Sequence, residues 1–157
     1  MKTIQYIRGD ATSPQTEGKK IIAHICNDIG GWGKGFVKAI SNRWSDPENE
    51  YRKWFKRGGN FCLGEIQMVQ VEETIWVCNM IGQHKITTHS KKVPPIRYEA
   101  VEKCLEKLSV GASEMNASIH MPRIGCGLAG GTWEEIETII ERTLLKNVVE
   151  VYIYDLE

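Results

Sequence analysis

Two glycine-rich segments, each between a predicted strand and a predicted helix, constrain this sequence most. The first covers residues 27–35, after an apolar run at 20–26 and before apolar residues at helical spacing from Phe36. The second covers residues 125–131, after a short apolar segment at 118–122 and before a helix that starts at Trp133. Because ligands of α/β proteins bind beyond the carboxyl ends of strands, both segments are candidate ligand loops.

Glycine lets the backbone approach a ligand closely, so that successive N–H groups converge on an anion beside a helix N-terminus. Two such loops would hold two neighbouring phosphates, which indicates a diphosphate ligand. Lysine plus arginine and aspartate plus glutamate both number 20, so the net charge is zero. This balance argues against a nucleic-acid partner, which would require a broad basic surface. A backbone anion site needs no such surface.

The rest of the chain alternates between segments with the periodicity of strands and segments with the periodicity of helices. Strands are predicted at 3–8, 20–26, 64–71, 74–81, 118–122 and 148–154, and helices begin near Phe36, Pro47, Ile96 and Trp133, the last ending at 146. The strands at 64–71 and 74–81 form a hairpin, residues 82–95 form a polar surface loop, and Thr132 and Glu135 suggest a capping box. This order predicts a three-layer α/β/α sandwich with a mixed central sheet. A length of 157 residues fits a single domain, 1–157.

Known phosphate-binding motifs fit these loops less well. A P-loop is excluded because Asp28 and Gly35 stand where the motif needs glycine and Ser or Thr. Residues 125–130 do match G-x-G-x-x-G, but a dinucleotide fold places that fingerprint at its first strand, and here one helix and one strand remain. The alternatives left open are a dinucleotide-binding enzyme of another family and two plain tight turns.

The cysteines and the chain ends narrow the class of protein further. Five cysteines, an odd number without C-x-x-C spacing, argue against a disulfide framework and against zinc, so we expect mostly buried, reduced thiols. No metal and no cofactor are expected. Residues 1–10 do not resemble a signal peptide, and no apolar run reaches the ~18 residues of a membrane span. A cytoplasmic protein with no membrane partner is therefore expected.

Three segments resemble the macrodomain family, which binds ADP-ribose, and the resemblance covers nearly the whole chain. They are Arg8-Gly-Asp10, Ala23-His-Ile-Cys-Asn-Asp-Ile-Gly-Gly-Trp-Gly-Lys-Gly-Phe36, and Met121-Pro-Arg-Ile-Gly-Cys-Gly-Leu128 with Trp133. The last is the most specific. It is similar to the branch containing terminal ADP-ribose glycohydrolase, ADP-ribose-1″-phosphate phosphatase and chromatin-remodeller macrodomains.

The resemblance implies a role for each matching residue. Asp10 accepts a hydrogen bond from the adenine amino group, and Asn27 lies beside the distal ribose. The implied ligand-binding residues are Gly9, Asp10, Ala11, Gly31, Trp32, Gly33, Lys34, Gly35, Arg123, Ile124, Gly125, Cys126, Gly127, Leu128, Tyr154 and Leu156. Of these, Tyr154 and Leu156 resemble residues that line the adenine pocket.

The resemblance also implies an activity, with departures from the family pattern. Gln83 and Ala129 stand where the glycohydrolase has its lysine and aspartate, which argues against that mechanism. A small shift of the alignment would instead match Lys85 to the family's lysine. We therefore expect a hydrolase of phosphatase or deacylase type that removes a substituent of the distal ribose (1″-phosphate, acyl or ADP-ribosyl-protein linkage). The candidate catalytic residues are His24, Asn27 and Asp28. The alternative is a non-catalytic reader of ADP-ribose or ADP-ribosylated protein, and a monomer is expected in either case.

Several of these residues also have plain structural interpretations. His24 lies in an apolar strand, as core histidines do, and Trp32 either closes over the ligand or packs on the surface. Cys126 lies at a helix entry, which favours a thiolate, but no base is nearby. His84, His89, Lys91 and Lys92 are expected to be solvated, with one of the histidines as a candidate to face the distal ribose.

Overall fold

Six strands and four α-helices alternate along the part of the chain that the computed structural model describes, residues 2–86, 93–147 and 149–156. The strands are β1 (Gln5–Arg8), β2 (Lys20–Asn27), β3 (Ile66–Glu72), β4 (Ile75–Gln83), β5 (Ser118–Met121) and β6 (Val151–Asp155). The helices are α1 (Phe36–Arg43), α2 (Asp46–Arg57), α3 (Tyr98–Met115) and α4 (Trp133–Thr143).

The strands form one mixed sheet in the order β1-β6-β5-β2-β4-β3. β1, β6, β5, β2 and β4 are parallel, so their carboxyl ends share one edge of the sheet. β3 is antiparallel to β4, which confirms the predicted hairpin. The predicted α/β/α sandwich with a mixed sheet is therefore confirmed.

The sheet is buried on both faces, which produces the three layers. Along β2 the side chains alternate between two cores: Ile21 and Ala23 face the cluster formed with α3 and α4, and Ile22 faces the cluster formed with α1 and α2. All three side chains are fully buried. A central strand buried on both faces carries a continuous apolar run, which is why residues 20–26 were recognisable as a strand.

Helix ends follow the local chemistry of the sequence. α2 has Pro47 in its first turn and ends at Gly58, whose φ of 76° an L side chain rarely adopts. α3 ends at Asn116 in the left-handed conformation. These two signals set the length of the helices that pack on opposite faces of the sheet.

The structure corrects several predicted boundaries. Gly82 is buried inside β4, Pro95 is buried, and Ile96 pairs with Gln83 in a β-bridge, so the predicted surface loop 82–95 is wrong at both ends. α3 therefore begins at Tyr98 rather than near Ile96.

Two further predictions at the end of the chain are corrected. α4 ends at Thr143, short of the predicted 146, and a 3₁₀ turn follows at Leu145–Asn147. Thr132 occupies the N-cap position but makes no side-chain cap; its backbone N–H donates to the Tyr98 hydroxyl at 3.0 Å. The predictions for His89, Lys91, Lys92 and the strand start at Val148 lie outside the described residues.

Candidate functional site

The loops after β2 and β5 lie side by side at the carboxyl edge of the sheet. The chain passes from β2 to β4 on one side and returns to β5 on the other side of β2. Such a reversal of strand order opens a crevice between the two loops, and ligands of α/β sheets bind there. The topology thus brings together the two glycine-rich segments that the sequence singled out.

Two adjoining cavities occupy this crevice. The first, about 250 Å³, includes in its lining Lys34, Gly35 and Phe36 from one loop and Gly125, Gly127 and Ala129 from the other. The second, about 480 Å³, includes Asn27, Gly31, Trp32, Gly33, Gln83 and Ile86. Both are lined by Lys34, Val37, Gln83 and Leu128, so they form one cleft. We call the smaller the inter-loop cavity and the larger the distal cavity.

The first loop presents unpaired backbone donors to the inter-loop cavity. Within the described part of the chain, the amides of Gly33, Lys34 and Gly35 have no hydrogen-bond acceptor. α1 starts directly after Gly35, with no side-chain cap and no acidic residue in its first turn. A helix N-terminus in this state attracts anions.

The second loop has its shape fixed by glycine geometry. Gly125 has φ of 73°, and a Cβ there would lie 2.7 Å from Ile96 Cδ1, so a side chain is excluded on both grounds. α4 has Glu134 and Glu135 in its first turn, and their negative charge disfavours a further anion at that helix terminus. The predicted anion contact of this loop is therefore assigned to the segment around Gly127 rather than to the helix terminus, and it stays a prediction.

Asn27 organises the first loop from within. Its Oδ1 accepts from the amides of Ile29 at 3.0 Å and Gly31 at 2.9 Å, and its Nδ2 donates to the Gly31 carbonyl at 3.0 Å. The Tyr51 hydroxyl donates to the Asn27 carbonyl at 2.6 Å. A β-bulge between Cys26 and Asn27 sets where this residue points. Asn27 lines the distal cavity, and its role beside a ribose stays a prediction.

His24 lies in the core at the floor of the inter-loop cavity, with 1% of its surface exposed. Its Nε2 lies 2.6 Å from Asn79 Oδ1, while Asn79 Nδ2 donates to the Pro47 carbonyl and to Gln67 Oε1. This fixes the Asn79 amide, so Nε2 of His24 carries the proton and Nδ1 is a bare acceptor. Burial lowers the pKa of His24 to about 4, and Nδ1 has no partner among the described residues.

Trp32 matches neither of its two predicted roles fully. It is 8% exposed, and its Nε1 donates to Ser41 Oγ at 2.8 Å. Its ring packs 5.3 Å from the rings of both His24 and Tyr51. Trp32 is thus a core aromatic with one edge in the distal cavity.

Asp28 and His84 form a pair that the sequence did not indicate. Asp28 Oδ2 lies 2.7 Å from His84 Nδ1, and Asp28 Oδ1 accepts from the Lys85 amide at 2.8 Å. The His84 side chain is 42% exposed, in keeping with the expectation that it is solvated, but it also has a partner in Asp28 that the sequence did not indicate. The expectation that Asp28 activates water stays a prediction, although both of its oxygens already accept hydrogen bonds.

The predicted adenine residues gather at the ends of β1 and β6. Asp10 Oδ1 accepts from the amide and hydroxyl of Thr12 at 2.8 and 2.7 Å. Tyr154 lies beneath Gly9, and its hydroxyl lies 2.6 Å from His120 Nδ1. Burial raises the pKa of Tyr154 to about 12. Ala11 is buried and Leu156 is 80% exposed; their predicted contacts stay predictions.

Arg123 lines the inter-loop cavity, between the predicted adenine residues and the second loop. Its guanidinium lies 5.2 Å from the Tyr6 ring centroid and 5.0 Å from that of Trp133, and it pairs with both oxygens of Asp155 at 2.7 and 3.0 Å. The neighbouring Cys126 thiol donates to the Ile124 carbonyl at 3.4 Å, and burial raises its pKa. The expected preference for a thiolate at Cys126 is therefore wrong.

Some cleft residues were missed by sequence reasoning or weighed only as departures from the family pattern. Gln83, the last residue of β4, lines both cavities. Like Asn27, it is a polar residue at the carboxyl end of a strand, and this position could have marked it as a candidate. Phe36 also lines the cleft; it ends the second family-like segment, but the resemblance implied no ligand contact for it. Ile86 lines the cleft and carries no signal in the sequence. Ala129 lies where the resemblance places an aspartate, and it is buried beside the inter-loop cavity.

No metal centre is evident in the described ranges: they contain no group of three or more His, Cys, Asp or Glu side chains arranged to hold an ion. None of the helices in the same ranges has the length and apolar character needed to cross a membrane.

Comparisons with known proteins give consistent results. No protein-family model matches the sequence. Mouse Chromodomain-helicase-DNA-binding protein 1-like is 29% identical over 161 residues, which cover 97% of this chain but 18% of the mouse protein. The chain thus spans about a fifth of that relative. The ADP-ribose 1″-phosphate phosphatase of Candida albicans is 26% identical over 144 residues, covering 88% of this chain and 92% of the fungal protein.

Solved structures are more similar. A protein of unknown function from Bacteroides thetaiotaomicron is 54% identical with a TM-score of 0.96, covering 99% of both chains. A macrodomain protein from Streptomyces coelicolor is 49% identical with a TM-score of 0.86, covering 97% of this chain and 98% of its own. Because nearly half of the residues are identical over 98% of that solved chain, this chain belongs to the macrodomain family.

Proposed function

We propose that this macrodomain binds ADP-ribose, with the diphosphate in the inter-loop cavity, the adenine beside Asp10 and the distal ribose in the distal cavity. One observation carries the proposal. The glycine-rich loops after β2 and β5 are far apart in sequence, yet both line the inter-loop cavity. The unpaired amides of Gly33, Lys34 and Gly35 in the first loop suit an anion, and a net charge of zero is compatible with such a site.

We further propose that the protein hydrolyses a substituent on the distal ribose. The name of the fungal relative, an ADP-ribose 1″-phosphate phosphatase whose length this chain nearly spans, supports a reaction of this type. Water would attack the substituent while loop amides stabilise the negative charge that develops. His24 has its pKa lowered to about 4 by burial, so it stays neutral at pH 7 and offers Nδ1 as an acceptor. Asn27 would fix the first loop around the ribose.

A non-catalytic reader is the second candidate, and the same contacts favour it. Asn27 and Asp28 use their side chains inside the protein, and His24 is buried. Gln83 and Ala129 provide neither a nucleophile nor a general acid at the cleft. A reader would bind ADP-ribose or ADP-ribosylated protein without turnover.

Two measurements separate these functions. Calorimetric titration with ADP-ribose tests binding, with NAD as a competitor to test for a dinucleotide enzyme. Incubation with ADP-ribose-1″-phosphate, O-acetyl-ADP-ribose and mono-ADP-ribosylated protein then tests turnover. Product from any of the three supports the hydrolase. Binding without product would support the non-catalytic reader, and absence of binding would refute both the hydrolase and the reader.

Replacing Asp10 is expected to weaken ADP-ribose binding by about 1.5–3 kcal/mol, the range for a hydrogen bond to a charged group. Asp10 Oδ1 is engaged by Thr12, which leaves Oδ2 as the acceptor for the adenine amino group. Asp10→Asn keeps an acceptor for Thr12 and presents an amide donor instead of Oδ2. Calorimetry should therefore show comparable losses for Asp10→Asn and Asp10→Ala. An unchanged affinity in Asp10→Asn would refute the adenine contact.

A further inference from the structure

The loop after β2 and the segment directly after β4 are joined through one carboxylate. Asp28 Oδ2 lies 2.7 Å from His84 Nδ1, and Asp28 Oδ1 accepts from the Lys85 amide at 2.8 Å. The Asp28 side chain is 17% exposed and that of His84 42%, so the pair lies at the border of the protein and solvent. A half-buried, two-point contact of a carboxylate is a stronger link than an exposed ion pair.

The segment that Asp28 holds has a constrained backbone. Lys85 has φ of 58°, a left-handed conformation that is unfavourable for a residue with a side chain. Its carbonyl accepts from Gln83 Nε2 at 2.8 Å, and the His84 amide donates to the Pro95 carbonyl at 2.8 Å. Residues 83–85 are therefore held in this turn by hydrogen bonds within the turn, to Pro95 and to Asp28. The bond to Asp28 connects the turn to the first loop.

This turn determines one wall of the distal cavity. Ile86 follows it directly, and its Cδ1 lies so close to Gly31 that a Cβ on that glycine would be 3.0 Å away. Ile86 and Gln83 both line the distal cavity. The width of that cavity thus depends on where the segment 83–86 is held relative to Gly31.

We propose that Asp28 and His84 are positioning residues, a latch that holds the segment 83–86 against the first loop and so sets the width of the distal cavity. This proposal rests on the proposed function, because it takes ADP-ribose as the ligand of the distal cavity. In this proposal Asp28 acts by holding the segment, to which both of its carboxylate oxygens are hydrogen-bonded, rather than by activating water. Ile86 and Gln83 are then the residues whose placement decides which ribose substituents fit.

A double-mutant cycle tests the latch. Asp28→Ala, His84→Ala and the double variant are titrated with ADP-ribose. Each single variant should bind on the order of tenfold more weakly, within the range typical of coupled sites, and the double variant no more weakly than the weaker single variant. His84→Asn places an amide donor near the position of Nδ1 and should restore most of the affinity. Glu102→Ala, which breaks an exposed pair with Arg142, is the matched control and should bind as the wild type does.

Other outcomes would overturn the proposal. If Asp28→Ala abolished turnover at unchanged KM and affinity while His84→Ala had no effect, Asp28 would be a catalytic base. Additive losses in the double variant would also contradict the latch. His84→Ala alters a half-exposed side chain, so the test does not depend on whether Asp28→Ala folds.

A measurement without ligand separates the latch from the proposed function. Hydrogen exchange of the Lys85 amide should accelerate at least about tenfold in Asp28→Ala, because its acceptor is removed, and stay slow in Asp28→Asn, which keeps an acceptor. Equal exchange in the wild type and Asp28→Ala would refute the latch even if ADP-ribose binds. If ADP-ribose does not bind, the proposed function fails and the exchange result alone decides the latch.

Discussion

Lowering the pH from 7 to 5 is expected to remove about 4 kcal/mol of the free energy of unfolding, because two histidines are buried in neutral form. His24 is 1% and His120 0% exposed. Burial lowers the pKa of both to about 4, from 6.5 in the unfolded chain. Lys20 adds to the effect at His120.

The sign follows from proton binding. Between pH 6.5 and 4 the unfolded chain protonates these histidines and the folded protein does not, so acid favours unfolding. The stabilisation is fully present above pH 6.5 and is lost as the pH falls towards 4. At pH 5 each histidine accounts for roughly 2 kcal/mol. Asp155 and Glu102, whose pKa values their arginine partners lower, stay ionised at pH 5 and do not mask the effect.

Urea unfolding at pH 7, 6 and 5 measures this effect. His24→Gln keeps a donor towards Asn79 but cannot titrate, so its loss of stability between pH 7 and 5 should be about half that of the wild type. The comparison is made within each protein, so a constant cost of the substitution cancels. Equal pH dependence in the variant and the wild type would show that His24 is not buried in neutral form.

Gly127→Ala and Gly33→Ala are expected to weaken ADP-ribose binding by about 1–3 kcal/mol each while leaving the protein folded. Neither glycine has φ in the left-handed region, and a Cβ at either position meets no protein atom within 4 Å. The folded structure therefore does not require glycine at these two places. Both residues line the cleft, so an added methyl group would occupy space that the bound ligand needs.

Gly111→Ala is the matched control for these two variants. Gly111 lies in α3, away from the cleft, where a Cβ would be 3.6 Å from Met68 Cε, an ordinary contact. Alanine there should leave affinity unchanged and stabilise the helix by roughly 0.5–1 kcal/mol. Calorimetry and urea unfolding on all three variants check both quantities. Unchanged affinity in Gly33→Ala and Gly127→Ala would contradict a ligand seated against these loops.

The regular parts of the fold were predictable because their signals are local. The run Ile21–Ile22–Ala23 identifies a strand buried on both faces, and the sequence following each glycine-rich segment identifies a helix. The N-cap of α4 shows the limit of such signals, since a backbone contact with Tyr98 replaces the expected side-chain cap of Thr132.

The arrangement of the site was predictable only in outline. The two glycine-rich loops lie at one edge of the sheet because the strands that precede them are parallel. They are neighbours because of the strand order β5-β2-β4, which depends on pairings between strands distant in sequence. The Asp28–His84 and His24–Asn79 contacts span 56 and 55 residues and carry no periodic or motif signal. Polar residues at strand ends could be recognised as candidates, whereas the partners that fix their roles could not.

The proposed function requires both loops to contact the same ligand through backbone amides. Amide chemical shifts measured by NMR during a titration with ADP-ribose test this directly. Residues 33–36 and 125–128 should shift together, with one apparent Kd that matches calorimetry. Shifts confined to one loop, or binding that leaves both loops unperturbed, would contradict it.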